Sequence, residues 1–264
     1  MSSKPVSIEV SDGAAIPRKK DRGLLSAWWL SFVGAIAITA FLCLTRPDPY
    51  LRILSFVPDG ILVTFQVTTL SILLALVLGL ITGLGRISRN RAINLMASTY
   101  VEVIRGIPLL VQLFYIYYAL ATIPVVSELP PLASAVIAMG FCYGAYMGEV
   151  FRAGIESIDK GQTEAARSLG FNRRQTMVLV ILPQAWRTIL PPVGNEFIAL
   201  LKDSSLVSIL AVADLLRRGR EFAGETFYYF EAYTIVALVY LIITLVLSKG
   251  VSHMESRLNY YDRH

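Results

Sequence analysis

The chain has 264 residues, of which 55% are hydrophobic and 16% charged, with a mean hydropathy of +0.59. Ordinary soluble domains carry about 25% charged residues, so this composition excludes a conventional soluble globule. The formal net charge of +5 follows from how basic residues divide between the two sides of a membrane, and calls for no nucleic acid.

Residues 1–24 mix Ser, Pro, Lys and Asp without apolar periodicity and are expected to form a disordered tail. Residues 26–45 are an uncharged run of 20. A helix needs roughly 20 apolar residues to cross about 30 Å of hydrocarbon. The run is longer than the roughly 7 to 15 residues of a secretory signal, and no small-residue cleavage site ends it before Arg46. It reads as an uncleaved anchor, with 25–58 as a first span and outer loop. Pro47, Pro49 and Pro58 mark 46–58 as an external connection.

Residues 60–85 form an uncharged run of 26. Gly79, Gly83 and Gly85 either admit a close neighbouring helix or are simply tolerated. Residues 92–107 are amphipathic, with Glu102 and Arg105 at a spacing that allows them to pair. Pro108 then interrupts the helix while the uncharged run of 22 residues continues over 106–127, predicting an interfacial helix that bends into a span. Pro124, Pro130 and Pro131 mark a short turn, followed by an uncharged run of 20 over 129–148. Residues 188–213 are apolar apart from Glu196, Lys202 and Asp203, and 232–248 add an uncharged run of 17. About six transmembrane helices result, in an all-α membrane protein. Basic residues favour the cytoplasmic side, and 17 of them fall on the side that holds both termini, against five on the other. Both termini are therefore expected to be cytoplasmic.

Cys43 and Cys142 lie in apolar runs, as small hydrophobes do. No phosphate-binding G-x-x-x-x-G-K-[ST] loop occurs, and no His/Cys/Asp cluster has metal-ligand spacing. The expectation is no catalytic residue, no metal and no cofactor bound by this chain. His253 and His264 fall in the expected 251–264 cytoplasmic tail.

Residues 152–187 are the only long polar connection on the basic side. Asp159 can cap a helix with Gln162 reaching back, Gly170 can close it in the left-handed conformation, and Asn172 can cap a second helix ended by Pro183. Ala165, Ala166 and Leu169 give a small apolar face, suited either to a groove on another protein or to packing against the chain's own helices.

The run Glu164-Ala165-Ala166, then Gly170, then Val180-Ile181-Leu182-Pro183 resembles the EAA loop of ABC importer permeases, with Val180 where that family has Ile. The segments 100–112 (YVEVIRGIPLLVQ), 144–154 (GAYMGEVFRAG) and 195–206 (NEFIALLKDSSL) are similar to permeases for polar amino acids within it. The resemblance covers about 59–248, and the helix at 26–45 is an addition to a subfamily that typically has five spans. It implies the type I ABC importer (MetI-like) permease fold over 59–250, in the bacterial inner membrane. In the family the loop is a coupling helix docked on an ATPase, which places the contact on Glu164, Ala165, Ala166 and Gly170. The implied partners are ABC ATPase subunits that bind ATP and Mg, a second permease subunit (identical or not), an external substrate-binding protein over 214–230, and membrane lipid.

Glu196 and Asp203, seven residues apart, share a helix face, with Lys202 about 100° away. With Ser204 and Ser205 these charges suit a zwitterion crossing at mid-span. They could equally pair with Glu149 or Arg152, or snorkel to the interface. Gln112 is a further pathway candidate. An ion-coupled secondary transporter using Glu196, Lys202 and Asp203 is the alternative function. An intramembrane hydrolase lacks a nucleophile–base pair, since Ser204 and Ser205 have no histidine within any span.

Overall fold

The computed structural model describes residues 26–124 and 127–260, and these are helical throughout their regular structure. The tail expected over 1–24, with its basic residues, and His264 lie outside the described residues.

Helix α1 (Ala27–Thr45) starts at Ser26, whose hydroxyl accepts from the Trp29 amide. It packs antiparallel to the last helix, where Trp28 Nε1 donates to the Leu245 carbonyl at 2.9 Å. The segment expected as an external connection forms helix α2 (Pro47–Phe56). Its prolines lie in the first turn, where a missing N–H costs no hydrogen bond, and Tyr50 and Ile53 turn inward. Helices α3 (Pro58–Arg86) and α6 (Pro131–Glu156) are the central pair. Gly140 faces Leu74 and Gly83 faces Phe151, so the two run in the same direction. A Cβ on Gly83 would stand 2.7 Å from the Phe151 Cβ and 2.9 Å from the Gly148 carbonyl oxygen. Glycine therefore sets the spacing of this pair, as close packing in lipid requires.

Between them, α4 (Arg91–Gly106) and α5 (Leu109–Ala121) meet at a 111° bend at Pro108. The expected bend is present, but α5, at 13 residues, does not reach across the bilayer alone. Gln112 holds the bend. Its Nε2 donates to the carbonyls of Ile104 and Ile107, each at 2.6 Å, satisfying orphan acceptors at the end of α4.

After α6 come α7 (Lys160–Ser168), α8 (Arg173–Gln175), a π-helical stretch Thr176–Ile181, α9 (Leu182–Asp203) and a 3-10 segment Ser204–Leu210. The 152–187 loop is thus narrower than expected: Arg152 lies inside α6, and Pro183 does not end a helix. Thr176–Ile181 widens into i→i+5 turns, with Leu182 N donating to Met177 O, so Pro183 falls in the first turn of α9 where its ring fits. Helix α10 (Leu215–Thr226) packs between α2, α3 and α11 (Tyr229–Tyr260). The expected 251–264 tail begins as the final turns of α11, because charged residues mark where the apolar stretch ends and need not end the helix.

One core joins Val67, Leu113, Met139, Met147, Ile189 and Leu200; another joins Tyr50, Ile53, Leu215, Phe222 and Ile235. Five helices, or six with the bent pair, are long and apolar enough to cross a membrane.

Candidate functional site

Two features stand apart from the apolar bundle. The first is the α7 protrusion. Asp159 caps it, its Oδ1 accepting from Gly161 N at 2.7 Å. At the other end Gly170 N donates to Arg167 O at 3.0 Å and Phe171 N to Ala166 O at 3.2 Å, with Gly170 at φ +87°. That pair of bonds is the Schellman closure, which needs a left-handed residue and so selects glycine. The Gln162 side chain accepts from Gln184 Nε2 at 3.2 Å instead of returning to the cap. Asn172 caps α8 with a reciprocal bond to Gln175.

Of the four residues assigned to the motor contact, Glu164, Ala165 and Gly170 are exposed. Ala166 is 4% exposed, turned toward the π-helical stretch on which α7 packs. Leu169 is 79% exposed, a large apolar group standing free beside the turn.

The second feature is polar and lies where α4, α6 and α9 meet. Glu149 is gripped by Arg86, by Arg152 (Nε to Oε2 at 3.1 Å) and, at 3.9 Å, by Arg105. Arg152 also pairs with Glu156. The expected Glu102–Arg105 pair is not what forms: Glu102 turns to Arg86 at 3.8 Å, and Arg105 lies over the Tyr146 ring, 5.9 Å from its centroid. The 111° bend swings α4 across the bundle, so its charges meet other helices.

A cavity of about 280 Å³ opens here, with Arg105, Tyr146, Glu149, Thr188 and Glu196 on its walls. A guanidinium from α4 and the Glu196 carboxylate from α9 thus face one space. Seven residues on, Asp203 accepts from the Tyr143 hydroxyl at 2.7 Å. Glu196 and Asp203 share the face that meets α6, while Lys202 is exposed and forms no ion pair among the described residues. Ser204 is buried and donates to Leu201 O at 2.8 Å, and Ser205 is half-buried. Gln112 is 4% exposed and committed to the α4–α5 bend. Glu149 and Arg152, the neighbours considered for Glu196 and Lys202, are paired with each other.

Tyr143 is not singled out by the sequence, and Arg105 only as a partner for Glu102. A cation three residues before the helix-breaking Pro108 is the signal that Arg105 offers toward the cavity. Among the described residues no group of His, Cys, Asp and Glu could hold a metal ion.

Residues 75–260 match the family described as binding-protein-dependent transport system inner membrane component. The chain is 42% identical over 207 residues to the L-cystine transport system permease protein TcyB of Bacillus subtilis, covering 76% of this chain and 86% of that one. It is 39% identical over 200 residues to the glutamine transport system permease protein GlnP of Escherichia coli, covering 76% and 91%. A crystal structure of an amino acid ABC transporter with histidines superposes at a TM-score of 0.72 and 38% identity, over 86% of this chain and 98% of that one. The inward-facing MetNI methionine ABC transporter superposes at 0.68 with 19% identity, over 78% and 97%, a likeness of fold alone.

Proposed function

This chain belongs to the family of binding-protein-dependent transport system inner membrane components, and we propose from that membership that it is the permease subunit of an ABC importer that carries a polar amino acid across the bacterial inner membrane. The observation that carries the reading is α7. It is a capped helix of nine residues, closed by a left-handed glycine and joined directly to the long α8–α9 helix, with Glu164, Ala165 and Leu169 outward. A motor that moves α7 moves α9, and with it Glu196 and Asp203.

In this reading α7 and both termini are cytoplasmic, and two ATPase subunits holding ATP and Mg dock on the Glu164 face. A second permease subunit packs across the path, and a binding protein delivers substrate at the α10 end, over 214–230. Closure of the ATPase pair rocks the bundles between outward-open and inward-open states. Arg105 answers the substrate carboxylate, and Glu196 and Asp203 answer its ammonium. The 280 Å³ cavity suits a single amino acid side chain and backbone better than a peptide.

The test is uptake into proteoliposomes that hold the permease, its ATPase and its binding protein. Uptake should require ATP inside or outside according to orientation, and persist when ionophores collapse every ion gradient. Uptake driven by a sodium or proton gradient without ATP would instead establish the ion-coupled carrier, with Glu196, Lys202 and Asp203 as its relay.

A further inference from the structure

A second cavity, of about 410 Å³, opens beside α7. Thr163 and Arg167, one turn apart, form one wall, and Arg89 from the α3–α4 connection and Arg173 from α8 form the rim. Met177 and Ile181 of the π-helical stretch make the apolar part of its floor, beside Thr176, whose hydroxyl is spent on the Asn172 carbonyl. The Thr163–Arg167 stripe lies about 100° around α7 from Glu164 and Ser168, on the side of the inward-turned Ala166 and away from the exposed Glu164 and Ala165.

What marks these arginines is their convergence without a carboxylate beside them. Arg86, Arg105, Arg152, Arg217 and Arg218 each meet a carboxylate. Among the described residues Arg89, Arg167 and Arg173 form no ion pair, although they converge on one space. Three like charges around a recess repel one another and concentrate an anion there. The position narrows the anion's source. Ile87, the residue that ends α3, also lines the cavity, so the site is level with the end of a spanning helix, where lipid headgroups lie. A free inorganic anion gains nothing from an apolar floor, whereas a lipid places its phosphate among the cations and its glycerol and first acyl carbons on Met177 and Ile181.

We infer that this cavity binds the phosphate of an acidic phospholipid, between the α3–α4 connection and the inner flank of α7. Such a lipid ties the coupling protrusion to the membrane surface without occupying its outer face. The inference needs no transport activity, so it stands or falls apart from the reading of α7 as a motor contact.

The experiment uses the purified full-length chain in non-ionic detergent, with native mass spectrometry against phosphatidylglycerol, phosphatidylcholine and inorganic phosphate. The expected result is preferential retention of phosphatidylglycerol, falling about 25-fold in the Arg89→Gln/Arg173→Gln variant, since each interfacial cation contributes about a fivefold factor. Retention should return in Arg89→Lys/Arg173→Lys, which keeps the charge and serves as a control for folding. Equal retention of the two lipids, or phosphatidylglycerol retention unchanged by the Gln pair, would overturn the site. Displacement of phosphatidylglycerol by equimolar inorganic phosphate would show a free-anion site and overturn the lipid assignment. If the Gln variant keeps its lipid but loses its ATPase, the arginines belong to the protein contact and the inference fails.

Discussion

The Tyr143 hydroxyl of α6 donates to Oδ2 of Asp203, at the last turn of α9, across 2.7 Å. Tyr143 is near the middle of a 26-residue helix, about 18 Å from either end. The bond marks the point where α9 gives way to a 3-10 segment. A hydrogen bond to a charged group contributes on the order of 1.5–3 kcal/mol. Tyr143→Phe is therefore expected to weaken uptake about tenfold or more and Asp203→Ala to abolish it, both with the permease–ATPase complex intact on gel filtration. Unimpaired uptake by Asp203→Ala would remove that carboxylate from the path.

Arg105 is the cation of the α4–α6–α9 cavity, held over Tyr146 and 3.9 Å from Glu149. Its bidentate fork matches a substrate carboxylate in a way an ammonium does not. Arg105→Gln should raise the substrate concentration for half-maximal uptake at least tenfold, and Arg105→Lys should recover only part of that. A variant with unchanged concentration dependence would place Arg105 among the structural ion pairs.

Ala165 and Ala166 are adjacent in sequence and opposite in fate: one exposed, one packed on the π-helical stretch. Substitutions at the two should separate cleanly. Ala165→Glu or Leu169→Glu is expected to abolish co-purification of the ATPase with no change in melting temperature. Ala166→Glu should lower the melting temperature as well, because it forces a larger, charged group into a packed contact. Gly170→Ala should destabilise α7 by about 1 kcal/mol, the left-handed penalty. Co-purification retained by Leu169→Glu would show that the outer face of α7 touches nothing.

The spanning helices were legible because lipid forbids unpaired charge over long stretches, and the Gly170 and Asn172 ends of the protrusion because caps need particular side chains. What was not legible depended on geometry between distant segments. Gln112 reads as a polar residue in a membrane helix, and only the 111° bend shows that it faces the carbonyls of Ile104 and Ile107. Arg105 reads as the partner of Glu102 until that same bend carries it to Glu149. Ala166 turns inward because a π-helical stretch forms beneath it, which periodicity does not announce. Gly79 and Gly83 leave close approach and simple tolerance equally open in the sequence, and only the facing Met147 and Phe151 of α6, with Gly140, Gly144 and Gly148 turned to Leu74, Leu78 and Thr82 of α3, decide for close approach.

That seam gives a stability prediction. A methyl at Gly83 meets the Phe151 Cβ at 2.7 Å and a backbone oxygen at 2.9 Å, so neither neighbour can swing away as a long side chain would. Gly83→Ala should cost about 1–3 kcal/mol of overpacking and lower the thermal midpoint of the purified chain. Gly106→Ala, where a Cβ meets nothing within 4 Å, should leave that midpoint unchanged. A parallel fall in both variants would show that the effect is not one of helix approach.

Asp214 gives the molecule a pH dependence outside its spanning helices. It caps α10, accepting from Arg217 N at 3.0 Å and Leu216 N at 3.3 Å, with the Tyr240 hydroxyl 3.4 Å away, and it is fully buried. Burial is the dominant influence on it, pushing the carboxyl up to about 6 from an ordinary 3.8, against the opposing pull of the amide and hydroxyl donors. Between those two values the folded protein holds a proton that the unfolded chain has released. Stability therefore falls as pH rises from about 4 to about 6, by on the order of 3 kcal/mol at most, and stays lower above that window. Asp214→Asn keeps an oxygen to cap α10 and removes the titration. Thermal midpoints taken at pH 4.5 and pH 7 should drop for the parent chain and stay level for the variant. Two parallel profiles would mean that the carboxyl keeps its charge when buried, held by the amides of Leu216 and Arg217.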